Sequence, residues 1–453
     1  MMLKEKIINT NKPVILMIGA VIALAVNFLP SEGMVFPFLI FCIGLFIGMF
    51  FINLMPEQDN KFLISLFLLA FLSRIFASLF FFNAVFLYNG NGMLGDAWPF
   101  SQSGYDVLQM WLAGIRDIKT ITDNMMKITA SGNLGSYDFW NAVVYFFTGK
   151  SPMSVIFINC LAGSLAVIFI YYITKQMCSI KAAKIAAILT AFWPSIFMWS
   201  IQNLKESSSI FLIVFLMWAM LNLKTRFRFH FIFLVFILSL ALKEMRLISF
   251  FVFYILVVPF ALFLSICRSK RLEFIFLGIL IIFIGVSLFE VVKLQIVKLI
   301  PFFPTRGNIE FLKWAYEMRT NRATGGTAFL TGLNLSNPLN LVFFVPTALL
   351  IAWLAPFPWQ VGSMSQISAI PEMLVYYMLI PSIFSGYRFI MKHRVSEGGL
   401  LIIAYIFIMM IVLAFIEGNI GTLFRHRAMV LPFLFVLIGI GLEKITFKIT
   451  AHD

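Results

Sequence analysis

The sequence predicts an all-α polytopic membrane protein, a single transmembrane domain over 1–453 built as a bundle of about 12–13 membrane-spanning helices. Three observations predict it. The 453-residue chain is 61% hydrophobic and 12% charged, whereas soluble domains carry roughly 25% charged residues. Apolar runs of about 20 residues, the length a bilayer core requires, recur from end to end. These runs are continuous, not the short alternating segments of a β-barrel. The net charge of +14 does not indicate nucleic acid, because the basic residues gather at span ends, where they set topology. Cys42, Cys160, Cys178 and Cys267 lie in or beside apolar runs with no CxxC spacing and read as inert buried thiols.

Taken in order, the expected spans are 13–30, 34–55, 62–88, 152–174, 182–201, 208–222, 231–243, 247–266, 272–292, 339–354, 371–388, 398–416 and 428–443. The basic start reads as a signal anchor without a cleavage site. Lys4, Lys6 and Lys12, then Lys175, Lys181 and Lys184, then Lys224, Arg226 and Arg228, then Arg268, Lys270 and Arg271 mark cytoplasmic loops. Span counting agrees at each of these. It puts 89–151 and 293–338 on the extracytoplasmic face as two large loops. The segment 339–354, broken by Pro346, is expected not to cross fully, which restores cytoplasmic ends on both sides. Within 89–151, "DVLQMWLAGIRDIKTITDNMMKI" repeats its apolar residues at three and four and predicts an amphipathic surface helix. A shorter amphipathic piece, "NIEFLKWAYEMRTNRATGG", lies in 293–338.

Ionisable residues near spans are the best guide to chemistry, since each costs a few kcal/mol unless paired or hydrated. Asp96, in "NGNGMLGDAWPFSQSGYD", stands just past the third span at headgroup height. It could serve as a general base, bind a cation that neutralises phosphate, or merely cap a helix. Asp106, Asp117, Asp123 and Asp138 share its loop, and Asp138 is the most notable because an apolar run follows it. Lys205 and Glu206 form a tight charged turn in "WSIQNLKESSS" and could equally be a snorkelling anchor pair. Lys243, Glu244 and Arg246 lie between two spans, and Arg246 suits forked recognition of phosphate oxygens. Arg425, His426 and Arg427, in "GNIGTLFRHRAMVLP", place positive charge where topology does not call for it, which argues for an anionic partner. Arg74, inside "LAFLSRIFASLFF", needs a partner within the membrane and reads as structural. No P-loop, HExxH or nucleophile elbow appears, and four scattered His give no ground for a His-ligated metal.

A "GD" followed by "GY" in the first loop, then "FFTGKSPMSVIFINCLAGSLAVIFIYYITKQM", "WPSIFMWSIQNLKESSSIFLIV" and "NIGTLFRHRAMVLPFLFVLIGIGLEK", in that order over about 60–445, resemble the GT-C glycosyltransferases. More narrowly the chain resembles their family 39-like members, which include the protein O-mannosyltransferases and the aminoarabinose transferases. The resemblance implies a transferase of the bacterial inner membrane with an outward-facing active site. It would take a sugar from a polyprenyl-phosphate carrier such as undecaprenyl phosphate and pass it, with inversion, to a glycan, lipid or protein acceptor in cell-envelope assembly. It implies Asp96 and Glu206 as catalytic carboxylates. It also implies Arg425 and Arg427 at the donor phosphate; by charge and position His426, Lys205 and Arg246 are further candidates for the donor phosphate, and Tyr105 and Asp138 are candidates for substrate binding. The chain departs from the family in an added hairpin at 13–55 and in Ala97, which stands where a second acidic residue is usual. A divalent cation stays open as a cofactor, with no metal ligand assigned. A transporter or flippase of lipid-linked glycans, and a polysaccharide polymerase or O-antigen ligase, are the alternatives; the first is disfavoured by long loops and the lack of an internal repeat.

Overall fold

The structure is a computed structural model that describes residues 35–54, 59–128, 135–225, 229–259, 316–317, 319–323, 326–331, 338–359, 364–392 and 398–450. The spans expected at 13–30 and 272–292, and most of 293–338, lie outside the described residues. So do Lys4, Lys6, Lys12, Arg226, Arg228, Cys267, Arg268, Lys270 and Arg271.

Among the described residues every named element is helical. The helices are α1 (Val35–Asn53), α2 (Asn60–Asn89), α3 (Ala97–Leu112), α4 (Ile118–Ile128), α5 (Ser136–Thr148), α6 (Pro152–Met177), α7 (Ile180–Phe192), α8 (Pro194–Ser200), α9 (Lys205–Thr225) and α10 (Phe229–Met245). They continue with α11 (Leu247–Phe251), which runs on as a π-helical stretch Val252–Val257, and then α12 (Pro338–Leu354), α13 (Met364–Lys392), α14 (Gly398–Ile416), α15 (Ile420–Arg427) and α16 (Leu431–Thr450). Six of these are long and apolar enough to cross a membrane, or up to 8 when α7 with α8 and α15 with α16 each count as one broken span. The expected spans from 34–55 onward thus fall on helices wherever they are described. Helix α12 has 17 residues with Pro346 inside it, short of the roughly 20 that a full crossing takes.

The amphipathic stretch predicted as one helix is two. Gly114, at φ 87°, is in the left-handed region that only glycine enters at no cost. It turns the chain after α3, and α4 begins a few residues later. Asp117 opens α4 by accepting the Thr120 N–H and hydroxyl at 2.9 and 2.8 Å. The Thr120 backbone and side-chain bonds hold the Asp117 carboxyl below the usual carboxylate range.

The chain divides into two compact units, residues 1–168 with 191–211, and residues 169–190 with 212–453. In the first, α1 lays Gly44 and Gly48 against Phe71 and Phe67 of α2. Helices α3 and α5 cross where Gly104 meets Asn141, and a Cβ there would strike the Asn141 side chain. In the second, α13 and α16 make the closest crossing. A Cβ at Gly386 would fall on the Leu437 carbonyl, and one at Gly441 on the Ser382 carbonyl. Small residues let backbones approach in this way within a membrane. We expect Gly441→Val to force these backbones apart and cost about 1–3 kcal/mol or more. A thermal-unfolding midpoint unchanged from wild type in detergent would contradict this.

Candidate active site

In the first unit the "GD" turn is built by Gly95, whose φ of 55° swings the chain into α3. Asp96 occupies the N-cap position, yet its side chain makes no capping hydrogen bond and is exposed. The next residue, Ala97, is fully buried and packs with Met93 and Leu204. The start of α3 therefore abuts the residue that precedes Lys205, and Asp96 and Lys205 begin neighbouring helices. A carboxylate at position 97 would be buried in this apolar packing.

The turn before α9 is held by Asn159, near the start of α6. Its amide nitrogen donates to the Gln202 and Leu204 carbonyls, both at 2.9 Å, and to the Tyr137 hydroxyl at 3.0 Å. Its oxygen accepts from Ser208 at 2.8 Å, and its carbonyl from Ser207 at 2.7 Å. The Tyr137 hydroxyl donates to Asn203 at 2.9 Å, and Asn203 donates on to Asn141 at 2.8 Å. Glu206 is fully buried directly after this turn, while the Lys205 ammonium lies 5.5 Å from the Phe100 ring of α3. Phe100 in turn packs edge-on against Tyr137 at 5.2 Å.

Asp138 enters the same cluster from α5. It is 3% exposed, and its carboxylate accepts the Gly135 N–H at 2.7 Å. Burial pushes its carboxyl up to about 6, against the pull of the Gly135 N–H and the Lys205 charge. Burial likewise raises the Tyr137 hydroxyl, opposed by its hydrogen bond from Asn159. Tyr105 stands on α3 one residue past the Gly104 crossing, with Lys150 4.3 Å over its ring. Lys150 also donates to Gln102 at 3.1 Å. Asp96, Tyr105, Asp138, Lys205 and Glu206 thus all belong to the first unit. Arg74 is there as well, buried in α2; it donates to Ser200 at 2.9 Å and to the Ala70 carbonyl at 3.1 Å, and stacks on Phe197.

The basic residues at 425–427, and Arg246, belong to the second unit. Asn419 caps α15 by accepting from Gly421 and Thr422. Arg427 is buried and donates to the carbonyls of Ala352, Trp353 and Ala355 at 3.4, 3.0 and 2.8 Å. It satisfies the open end of α12, where a cation also meets the negative pole of the helix dipole. Arg425 is half-buried. His426 reaches Glu417, fully buried, through Nδ1 at 2.8 Å. Glu417 immediately precedes the motif singled out in the sequence, and the apolar run before it hid it. Arg246 opens α11 near Tyr405, and Lys243 pairs with Glu244 at 3.3 Å.

An apolar cavity of about 780 Å³ opens among α12, α13, α14 and α16, lined by Leu350, Trp353, Tyr376, Phe384 and Phe407 among others. Arg427 contacts two of its lining residues, lying 5.5 Å over the Tyr376 ring and bonded to the Trp353 carbonyl. Among the described residues no three His, Cys, Asp or Glu side chains converge as metal ligands.

Residues 138–289 match the family described as dolichyl-phosphate-mannose-protein mannosyltransferase. The match takes in about a third of the chain, including Asp138, Asn159, Lys205, Glu206 and Arg246. No curated protein matches the chain. Among solved structures, the chain is similar to ArnT from Cupriavidus metallidurans bound to undecaprenyl phosphate, at 12% identity and a TM-score of 0.42, over 66% of this chain and 48% of that one. It thus spans about half the length of that solved protein. Residues 138–289 are thus similar to a mannosyltransferase family, on a chain whose described residues include six helices long and apolar enough to cross a membrane.

Proposed function

We propose that the protein transfers a sugar from a polyprenyl-phosphate carrier to an acceptor at the outer face of a bacterial inner membrane, in cell-envelope glycan or glycolipid assembly. The observation that supports this reading is the packing of Ala97 on Leu204, which brings the start of α3 against the residue before Lys205. Asp96 takes the proton from an acceptor hydroxyl or amine. The acceptor atom bonds to the anomeric carbon as the bond from that carbon to the carrier phosphate oxygen breaks, and polyprenyl phosphate departs. Lys205 offsets negative charge building in the first unit's site. Glu206 is the second catalytic carboxylate, and Tyr105 and Asp138 bind substrate.

Arg425, His426 and Arg246 are assigned to the donor phosphate. Arg427 is the weakest of that set, since its NH1 is engaged by backbone carbonyls. The cavity beside Arg427 has the chemistry of a prenyl tail. Purified protein in liposomes, given a labelled polyprenyl-phosphate sugar, should release polyprenyl phosphate and label the acceptor. Arg425→Ala should raise the donor KM roughly tenfold, the scale of one lost charge-assisted bond. Donor affinity equal to wild type would dismiss Arg425 from the phosphate site. Movement of the lipid between leaflets without transfer would establish the transporter instead.

A further inference from the structure

The described part of the second large loop is tied to the α14–α15 corner by a compact charged knot. Arg319, 2% exposed, donates to the carbonyls of Glu417 at 2.5 Å, Phe329 at 2.6 Å and Ala414 at 3.3 Å. It lies between the Phe329 and Phe344 rings, at 4.4 and 4.9 Å. Ala328 pairs with Asn419 as an isolated antiparallel bridge. The Ile420 N–H donates to the Thr327 carbonyl and the Phe329 N–H to the Gly418 carbonyl, both at 3.0 Å. These bonds hold the segment in place without using the Glu417 side chain.

The Glu417 carboxylate has another task. One oxygen accepts from Arg322 at 2.5 Å and from His426 at 2.8 Å, and the other from Thr422 at 3.1 Å. Burial pushes the Glu417 carboxyl up, but the His426 hydrogen bond and charge, Arg322 and Thr422 outweigh it and hold it at about 2. The carboxylate is wholly covered, yet the Arg322 and His426 side chains remain 27% and 17% exposed. An arginine and a histidine are therefore fixed over one buried carboxylate, with part of each side chain exposed. Half-buried Arg425 adds a third basic group on the same helix.

We propose that Glu417 is a positioning residue that holds Arg322 and His426 as a paired clamp for a phosphate monoester or diester headgroup, and that it makes this binding depend on pH. Arg322 is the added phosphate ligand and comes from the second loop. The proposal rests on the donor-phosphate reading of the 425–427 region. The charged and titratable groups around His426 are Glu417 from the corner, Arg322 from the loop, and Arg425 and Arg427 on its own helix. Behind these, Arg319 backs Glu417, and Glu372 and Tyr376 of α13 face Arg427. A carboxylate favours the charged form of a neighbouring imidazole. Removing it should therefore move the loss of phosphate binding to lower pH.

The test uses the full chain in nanodiscs, with farnesyl phosphate as probe and inorganic phosphate as the second arm, each titrated from acid to mildly alkaline pH. Arg322→Ala should weaken farnesyl phosphate binding roughly 10- to 100-fold, with partial recovery in Arg322→Lys. Glu417→Gln, which keeps the shape, should lower the pH midpoint of binding by about one unit or more. A purely structural Glu417 would change affinity or melting temperature and leave the midpoint in place, which would overturn the proposal. Unaltered farnesyl phosphate affinity in folded Arg322→Ala would overturn it too. Equal competition by inorganic phosphate would reassign the clamp to free phosphate and reject the lipid headgroup. Binding with the expected pH shift, but no glycosyl transfer by wild type, would leave the clamp standing and remove the enzymatic reading.

Discussion

Asp96→Asn should abolish most glycosyl transfer, lowering kcat by roughly 10²–10⁴, the usual contribution of a positioned general base. The amide keeps the size of the side chain and loses its basicity. Structural damage is not expected, because the Asp96 side chain is exposed. The decisive comparison is the rate with a labelled lipid-linked sugar beside the melting temperature of the same preparation. A folded variant that transfers at the wild-type rate ends the assignment of Asp96 as base, and Asp138 or Glu206 would then be the next carboxylate to examine. Donor KM should hardly change, since the proton leaves the acceptor and not the donor. Asp106→Asn, on the same loop, should be close to silent; its carboxylate is engaged by Gln102 on the helix surface at 2.9 Å.

Much of this was legible in the chain because membrane helices announce themselves locally. A run such as 398–416 carries its own length and apolarity, and the helix found there has the same bounds. The glycine of the "GD" turn and the polar start of α9 were legible for a related reason, since both interrupt apolar runs. What escaped depends on partners distant in sequence. Asn159 sits inside an apolar span and bonds to carbonyls 43 and 45 residues away. Its one local sign was a buried amide in a membrane helix, which is costly unless bonded. Glu417 escaped because it closes an apolar run just before the basic motif. Arg425, His426 and Arg427 consequently read as bare positive charge, whereas the structure sets a buried carboxylate beneath His426 and backbone carbonyls around Arg427. The single surface helix failed at Gly114, where the apolar period continues across a turn that only backbone geometry discloses.

Asn159→Leu is expected to be the most damaging single change in the first unit. The substitution is close in volume and suits a membrane helix, so hydropathy alone would predict a stable protein. Yet it strips partners from the Gln202 and Leu204 carbonyls, from Ser208 and from Tyr137, all buried. Buried polar groups left without partners cost about 1–3 kcal/mol each, so a loss of roughly 3–5 kcal/mol is expected once the turn relaxes. The functional loss should be larger than the stability loss implies. Residues 202–204 lead straight into Lys205 and Glu206, and a shift of about 1 Å at a reacting centre can cost some 10²-fold in rate. Measured below its own melting temperature, the variant should therefore still transfer at least about 10²-fold more slowly than wild type. Asn159→Ser, which keeps a small polar group, should fall between the two in both stability and rate. A variant that melts early but turns over normally while folded would show that Asn159 supports the bundle and not the Lys205–Glu206 turn, and the active site would then have to be sought away from α9.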